Sequence, residues 1–265
     1  MTSTPPVVGA QPDLRAASTR STAARLLDGS GRAGLVAYRE HAGRSHQVLA
    51  HGLTPADVLA VALPAGCLPQ GGTCHEVRLR IDQHGADPRL RVSTASVHAL
   101  AHLRLVESDE LADLVSLDLL PTEVRWAAEA GARVALLALD RVLLHDQGGV
   151  TAISFDELVG STRFPPRAEE WRCREVVQAM ESAPRLVTQV CEGGRDGVVG
   201  QGHPTPESVR PFTGQTVLAD VDGTGCTWLR IETERTRTVF VPFAEPVGSL
   251  EELEAAVADL GQLAV

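Results

Sequence analysis

The chain has 265 residues, 43% hydrophobic but only 3% aromatic, with 34 acidic against 24 basic side chains and a net charge of −10. That balance excludes a nucleic-acid binder built on a basic surface, and the aliphatic composition predicts a core of Val, Leu and Ala. Every basic side chain is an arginine, which excludes Schiff-base chemistry on lysine and the lysine of a P-loop. No apolar run approaches the roughly 20 residues of a membrane helix. The first twenty residues lack the apolar stretch of a secretory signal, and their Pro, Ser and Thr content predicts a disordered tail over 1–20. The expectation is a cytoplasmic protein with no membrane partner. Cys67, Cys74, Cys173, Cys191 and Cys226 form no C-x-x-C pair, so free thiols in a reducing compartment are expected.

In chain order, a short helix is predicted over 21–27. Strands follow over 34–38, 47–51, 58–63, 75–81 and 97–106. A helical stretch over 109–130 should break at Pro121. A hairpin pairs 135–144 with 150–153. Residues 156–167, with Phe164-Pro165-Pro166, read as a boundary, since Pro-Pro fits neither a helix interior nor a central strand. A helix is expected over 169–182 and a Gly/Pro-rich loop over 193–211. Three short strands then centre on 217–219, 228–231 and 237–241. Ser249 and Glu252 form a capping box for a last helix over 249–263, with Leu250, Leu253, Val257 and Leu260 on its apolar face.

Two strands carry candidate site residues. In 75–82, His75, Val77, Leu79 and Ile81 share one face, and Glu76, Arg78, Arg80 and Asp82 the other. In 97–105, Val97, Ala99, Ala101, Leu103 and Leu105 oppose His98, Leu100, His102 and Arg104. His75 sits on an apolar face, where a neutral imidazole suits iron; a hydrogen-bonded core histidine is the plainer alternative. His98 and His102 lie about 13 Å apart along one strand face, so they cannot both meet one side of one iron. A solvated strand face is the alternative for both. His51 suits a turn or rim, and His203 an exposed loop. Arg78, Arg80, Arg89, Arg91 and Arg104 match carboxylate groups, with surface ion pairs as the alternative. There is no G-x-S-x-G elbow, no H-E-x-x-H helix and no dinucleotide fingerprint.

The acidic turn Val221-Asp222 with Gly225, the step Val241-Pro242-Phe243 with Pro246-Val247, and the hairpin segment over 136–159 together resemble one family. It is the haem-utilisation (HugZ/HutZ-type) split-barrel family, and the likeness spans residues 21–265. The resemblance implies an α+β chain. An antiparallel split β-barrel of the flavin-oxidase kind over 21–159 would lead through a linker over 160–168 to a small α+β domain over 169–265. It implies haem b as cofactor, with FMN as the alternative, and a homodimer.

His75 is the first candidate for the iron, then His98 and His102, with Arg78 and Arg104 toward the propionates. This chain departs from the family at its usual histidines. Trp171-Arg172-Cys173-Arg174-Glu175 lacks one, the N-A-D-H helix is absent, and no histidine follows His203. With those departures the chain is similar to a diverged biosynthetic member of this scaffold, the haem-dependent piperazate synthases, and that resemblance implies a haem-dependent enzyme with a small-molecule amino-acid substrate. It would form an N–N bond, cyclising N-hydroxyornithine to piperazate in natural-product biosynthesis. Haem degradation with iron release, and a non-catalytic haem- or partner-binding protein, are the alternatives.

Overall fold

The computed structural model describes residues 12–39, 44–67, 74–85, 92–146, 148–161 and 163–262. Helix α1 (Pro12–Leu27) opens the fold. Eight strands then build the first sheet: β1 (Arg32–Val36), β2 (Ser45–Gln47), β3 (Ala50–Leu53), β4 (Leu59–Leu63), β5 (His75–His84), β6 (Ser93–Leu105), β7 (Arg133–Asp146) and β8 (Gly149–Ser154). Their order is β2-β1-β5-β6-β7-β4-β3, antiparallel throughout, with β8 on the second half of β7. The sheet curls into the half-barrel expected from the sequence.

Helices α2 (Ser108–Ser116) and α3 (Thr122–Glu129) interrupt the sheet between β6 and β7. The break falls at Pro121, as its missing N–H dictates. Val124 of α3 packs with Ala60 and Ala62 of β4, so β4 is buried on both faces. Over β1, β5 and the part of β6 from His98 on, the outer face has no such cover, and every second residue there is partly or fully exposed.

The barrel core is aliphatic. Leu35, Leu59, Leu63, Leu79, Ile81, Leu103, Leu137 and Leu144 are all but fully buried, together with Leu26 and Leu27 of α1. At the end of α1 the backbone turns through Gly29 at φ +106, a conformation that glycine adopts without strain. His51 of β3 bonds through Nε2 to the Leu26 carbonyl at 2.8 Å, satisfying one of the acceptors a helix end leaves open. Burial lowers the pKa of His51 to about 4, so the ring is a neutral donor. Its role is structural.

The second half follows α4 (Phe155–Val159), which Ser154 and Glu157 cap reciprocally. Helices α5 (Glu170–Gln178) and α6 (Ala183–Cys191) lead to β9 (Val198–Val199), β10 (His203–Pro204), β11 (Thr216–Asp222), β12 (Gly225–Ile231) and β13 (Arg235–Pro242). The second sheet runs β10-β13-β12-β11, with β9 also on β13. Helix α7 (Leu250–Gln262) closes it. Ser249 Oγ accepts the Glu252 N–H at 3.2 Å, while the Glu252 carboxylate reaches one residue further back, to the Gly248 N–H at 2.6 Å. Leu253 and Leu260 of α7 are buried, with Leu250 and Val257 half-buried.

Five expectations need correction. Residues 12–20 are helical, not a tail, because their Ser and Thr side chains pack between the two sheets; residues 1–11 lie outside the described residues. The strand expected over 47–51 is two strands, β2 and β3, because the chain changes partner there: the Val48 N–H bonds the Ala33 carbonyl of β1 and the Leu49 N–H the Ala62 carbonyl of β4. The boundary segment contains α4, and its Phe164 is buried in the second core. The helix over 169–182 ends early, at Gln178, and a separate helix, α6, with Pro184 in its first turn, begins only at Ala183. The loop over 193–211 carries β9, β10 and a 3₁₀ turn, Glu207–Phe212. Leu263, the expected end of α7, lies outside the described residues.

One ion pair ties α1 to the second sheet. Leu218 pairs with Trp228, and Asp220 pairs with Thr227, so Ala219 is the extra residue of a bulge. Trp228 faces the α5–α7 core. Thr227, its neighbour in the strand, faces the other way. The bulge thus turns Asp220 toward α1, where it binds Arg25 through both guanidinium nitrogens. Both residues are buried, and Asp222 adds a second carboxylate near the same guanidinium. Burial raises the Asp222 pKa, with Arg25 opposing the shift.

Candidate functional site

Strands β5 and β6 hold the candidate residues in one register. Arg80 faces His98, Arg78 faces Leu100 and Glu76 faces His102. Their inner partners Val77, Leu79, Ile81, Val97 and Leu103 are buried without remainder. The period-2 alternation therefore fixes which side chains look out. His75 has inner parity and is 3% exposed, inside the barrel end of the sheet. It lies on the opposite face from Arg78, His98, His102 and Arg104. The dry surroundings read from its neighbours are present, but they are the barrel core.

On the outer face a groove of about 800 Å³ runs over β1, β2, β5 and β6. Arg32, Arg78, Arg80, Asp82, Gln47 and His98 line it. Arg80 pairs with Asp82 at 2.8 Å. Among the described residues, Arg32 and Arg78 have no carboxylate partner. The groove is a cationic surface on an acidic protein, and a guanidinium fork is the natural receptor for a carboxylate.

His98 sits at the edge of this groove. Its Nε2 is 3.0 Å from Ser96 Oγ, and its ring lies 4.6 Å from that of His145, tilted by 58°. Burial lowers the His98 pKa first, with His145 and Arg80 acting in the same direction. The imidazole is neutral near pH 7, the form that ligates metals. His145, from β7, lines a second concavity of about 250 Å³ together with Asp146, Ser96, Thr94 and His203 of β10. The loop histidine of the sequence analysis thus shares a cleft with a barrel residue. The tilted pair His98–His145 stands between groove and cleft.

Other candidates are placed elsewhere or otherwise engaged. Arg104 binds Glu110 of α2 through two hydrogen bonds of 2.6 and 2.7 Å. This bidentate bond raises the Arg104 pKa and lowers that of Glu110, and it removes Arg104 from the groove. His102 is exposed beside Glu76, further along β6. Arg89 and Arg91 lie outside the described residues. Among the described residues no group of three or more His, Cys, Asp or Glu side chains is arranged to hold a metal ion.

Sequence reasoning missed Arg32 and His145. The alternation of Arg141, Leu143 and His145 against Val142 and Leu144 was a readable signal. What it lacked was the β6–β7 register, which sets Ser96 opposite His145 and His98 opposite Leu143.

No family model matches the sequence, and no curated protein is significantly similar to it. Among solved structures, the chain is similar to a haem-binding protein from Mycobacterium smegmatis at 16% identity and a TM-score of 0.47, over 99% of both chains. It is also similar to a protein of unknown function from Agrobacterium tumefaciens at 16% identity and a TM-score of 0.36, over 97% of this chain and 98% of that one.

Proposed function

We propose that the protein is a haem-dependent enzyme that holds haem b in the groove over β1, β5 and β6 and acts on a small amino-acid substrate. One observation carries the haem reading: a neutral imidazole, His98, beside two guanidiniums, Arg32 and Arg78, that have no carboxylate partner among the described residues. This donor set fits a group that needs one nitrogen ligand and two carboxylate receptors. His98 replaces His75 as the first ligand candidate, because His75 is on the opposite face of the sheet. Bound haem would supply a Lewis-acid or redox centre at a nitrogen–oxygen bond.

The chain's own residues do the rest. Ser96 fixes the orientation of the His98 ring and His145 packs against it, while Arg32 and Arg78 bind carboxylates. The proposed reaction is the cyclisation of N-hydroxyornithine to piperazate. The free amine attacks the hydroxylated nitrogen, the N–N bond forms, the N–O bond breaks and water leaves, with no net redox change. This chemistry is supported by the chain's departures from the haem-utilisation pattern at its usual histidines and by the use of this scaffold in haem-dependent piperazate synthases. Exposed Leu100 and Leu143 beside His98 support a homodimer joined through this face, which sedimentation at micromolar concentration tests.

Titrating purified protein with haem should produce a Soret band. His98→Ala should shift or abolish it, and Arg78→Ala should weaken haem retention. Without added reductant or oxygen, the loaded protein should convert N-hydroxyornithine to the cyclic product. Bleaching with ascorbate and oxygen, and no turnover, would assign haem degradation instead. Haem uptake without either reaction would leave a binding protein. A yellow preparation with FMN and no Soret band would overturn the haem reading, as would an unchanged spectrum in the His98 variant.

A further inference from the structure

A second cavity lies at the junction of α1, the ends of β5–β7 and the second sheet. It measures about 80 Å³, room for about two or three water-sized groups at roughly 30 Å³ each. Its wall carries six hydroxyl side chains, Ser18, Thr19 and Thr22 from α1, Thr94 from β6, Thr227 from β12 and Thr238 from β13, set among apolar groups that include Leu144, Val198 and Phe240. The buried carboxylate of Asp220 lines it as well. The more exposed side chains, Arg15 and Asp146, form its rim.

Two observations point to a ligand and to its charge. Thr94 is 7% exposed, and its Oγ1 has no hydrogen-bond partner among the described residues. A buried hydroxyl without a partner costs about 1–3 kcal/mol, so the cavity has an open position for a donor. The electrostatics select a cation. Asp220 and Asp222 are both buried near a single guanidinium, that of Arg25. The cavity is therefore floored by a group whose neighbourhood holds more carboxylate than guanidinium, and hydroxyl oxygens can accept several N–H bonds at once.

The geometry points to a binding site for a primary ammonium group, with Asp220 supplying the charge and Thr94 and its neighbouring hydroxyls accepting the N–H bonds. The volume admits the ammonium head and a short alkyl stem. The cavity shares Thr94, Ala95 and Asp146 with the cleft that holds His145 and His203, so the stem emerges beside the imidazoles. For the identity of the natural amine the inference rests on the proposed function, where the site would hold the unmodified amine of the amino-acid substrate.

The test is an NMR titration of the full-length protein with n-butylammonium chloride, and with 1-butanol as the uncharged isostere. The ammonium should saturably shift the backbone amide resonances of Thr94 and Thr227, and butanol should not. Thr94→Val should weaken the ammonium at least tenfold while melting at no lower temperature than the parent, since it removes an unpartnered polar atom. If that variant does not fold, Thr227→Val carries the same expectation. Equal shifts with butanol, no shift at these amides, or unchanged affinity in the valine variant would each overturn the site and leave ordered water as its occupant. Haem uptake is read separately on the same sample. Haem binding without an ammonium response sinks this inference alone, and an ammonium response without haem binding sinks the haem reading alone.

Discussion

The two sheets bury their residues differently, and the difference decides where a site can form. Strand β5 and the second half of β6, from Val97 on, alternate, because one face packs on the barrel core and the other is open. Strands β11, β12 and β13 are buried on nearly every residue. One face meets α5, α6 and α7; the opposite face, with Ala219, Leu229 and Ile231, packs against Val209 and a half-buried Val92. A sheet covered on both faces can offer ligands only at its edges and junctions. The open face of the first sheet can carry a groove of charged side chains, and it does.

The strongest test of this contrast is to cut the tie between the sheets. Asp220→Ala leaves Arg25 buried and without its main counter-charge, which should cost about 3–5 kcal/mol of stability. Denaturant unfolding measures it, and a loss below 1 kcal/mol would mean that water replaces the carboxylate. The doubly covered sheet should also answer to truncation where the open face does not. Leu229→Ala should cost about 2–5 kcal/mol. Leu100→Ala, at a side chain 65% exposed, should stay within about 0.5 kcal/mol. Similar losses for the two would show that the outer face is covered in solution.

The next effect depends on pH. His51 titrates at about 4 in the fold and near 6.5 when unfolded. Its contribution is fully present above about pH 6.5 and is lost as pH falls toward 4, to a total of about 3 kcal/mol. His51→Gln should flatten the stability profile across that window. An unchanged slope would show that another group titrates there.

Much of the first sheet was legible because its chemistry is periodic. The outward set Arg78, Arg80, His98 and His102 could be read from parity alone, as could the helix break at Pro121 and the Ser249 cap. Parity also placed His75 correctly on a dry face. It could not say that this face was the inside of a barrel, away from the arginines, since closure is a property of all the strands together. The contact between His98 and His145 needed inter-strand register. Residues 12–20 read as a tail because Ser and Thr signal solvent when their partners are unknown. Here Ser18 and Thr19 line a buried junction together with Thr94, Thr227 and Asp220.

The bulge at Ala219 has a consequence for the order of assembly. It aims Asp220 at Arg25 across 195 residues of chain, a closure whose entropy must be met before the contact gives any return. During synthesis α1 emerges long before β11, and until β11 follows, the guanidinium of Arg25 lacks its Asp220 partner. Until then the helix that plugs the barrel carries a charge it cannot bury. The final docking of α1 is thereby tied to completion of the other end of the chain, and a nascent protein that stops short of residue 220 keeps its first helix unlocked.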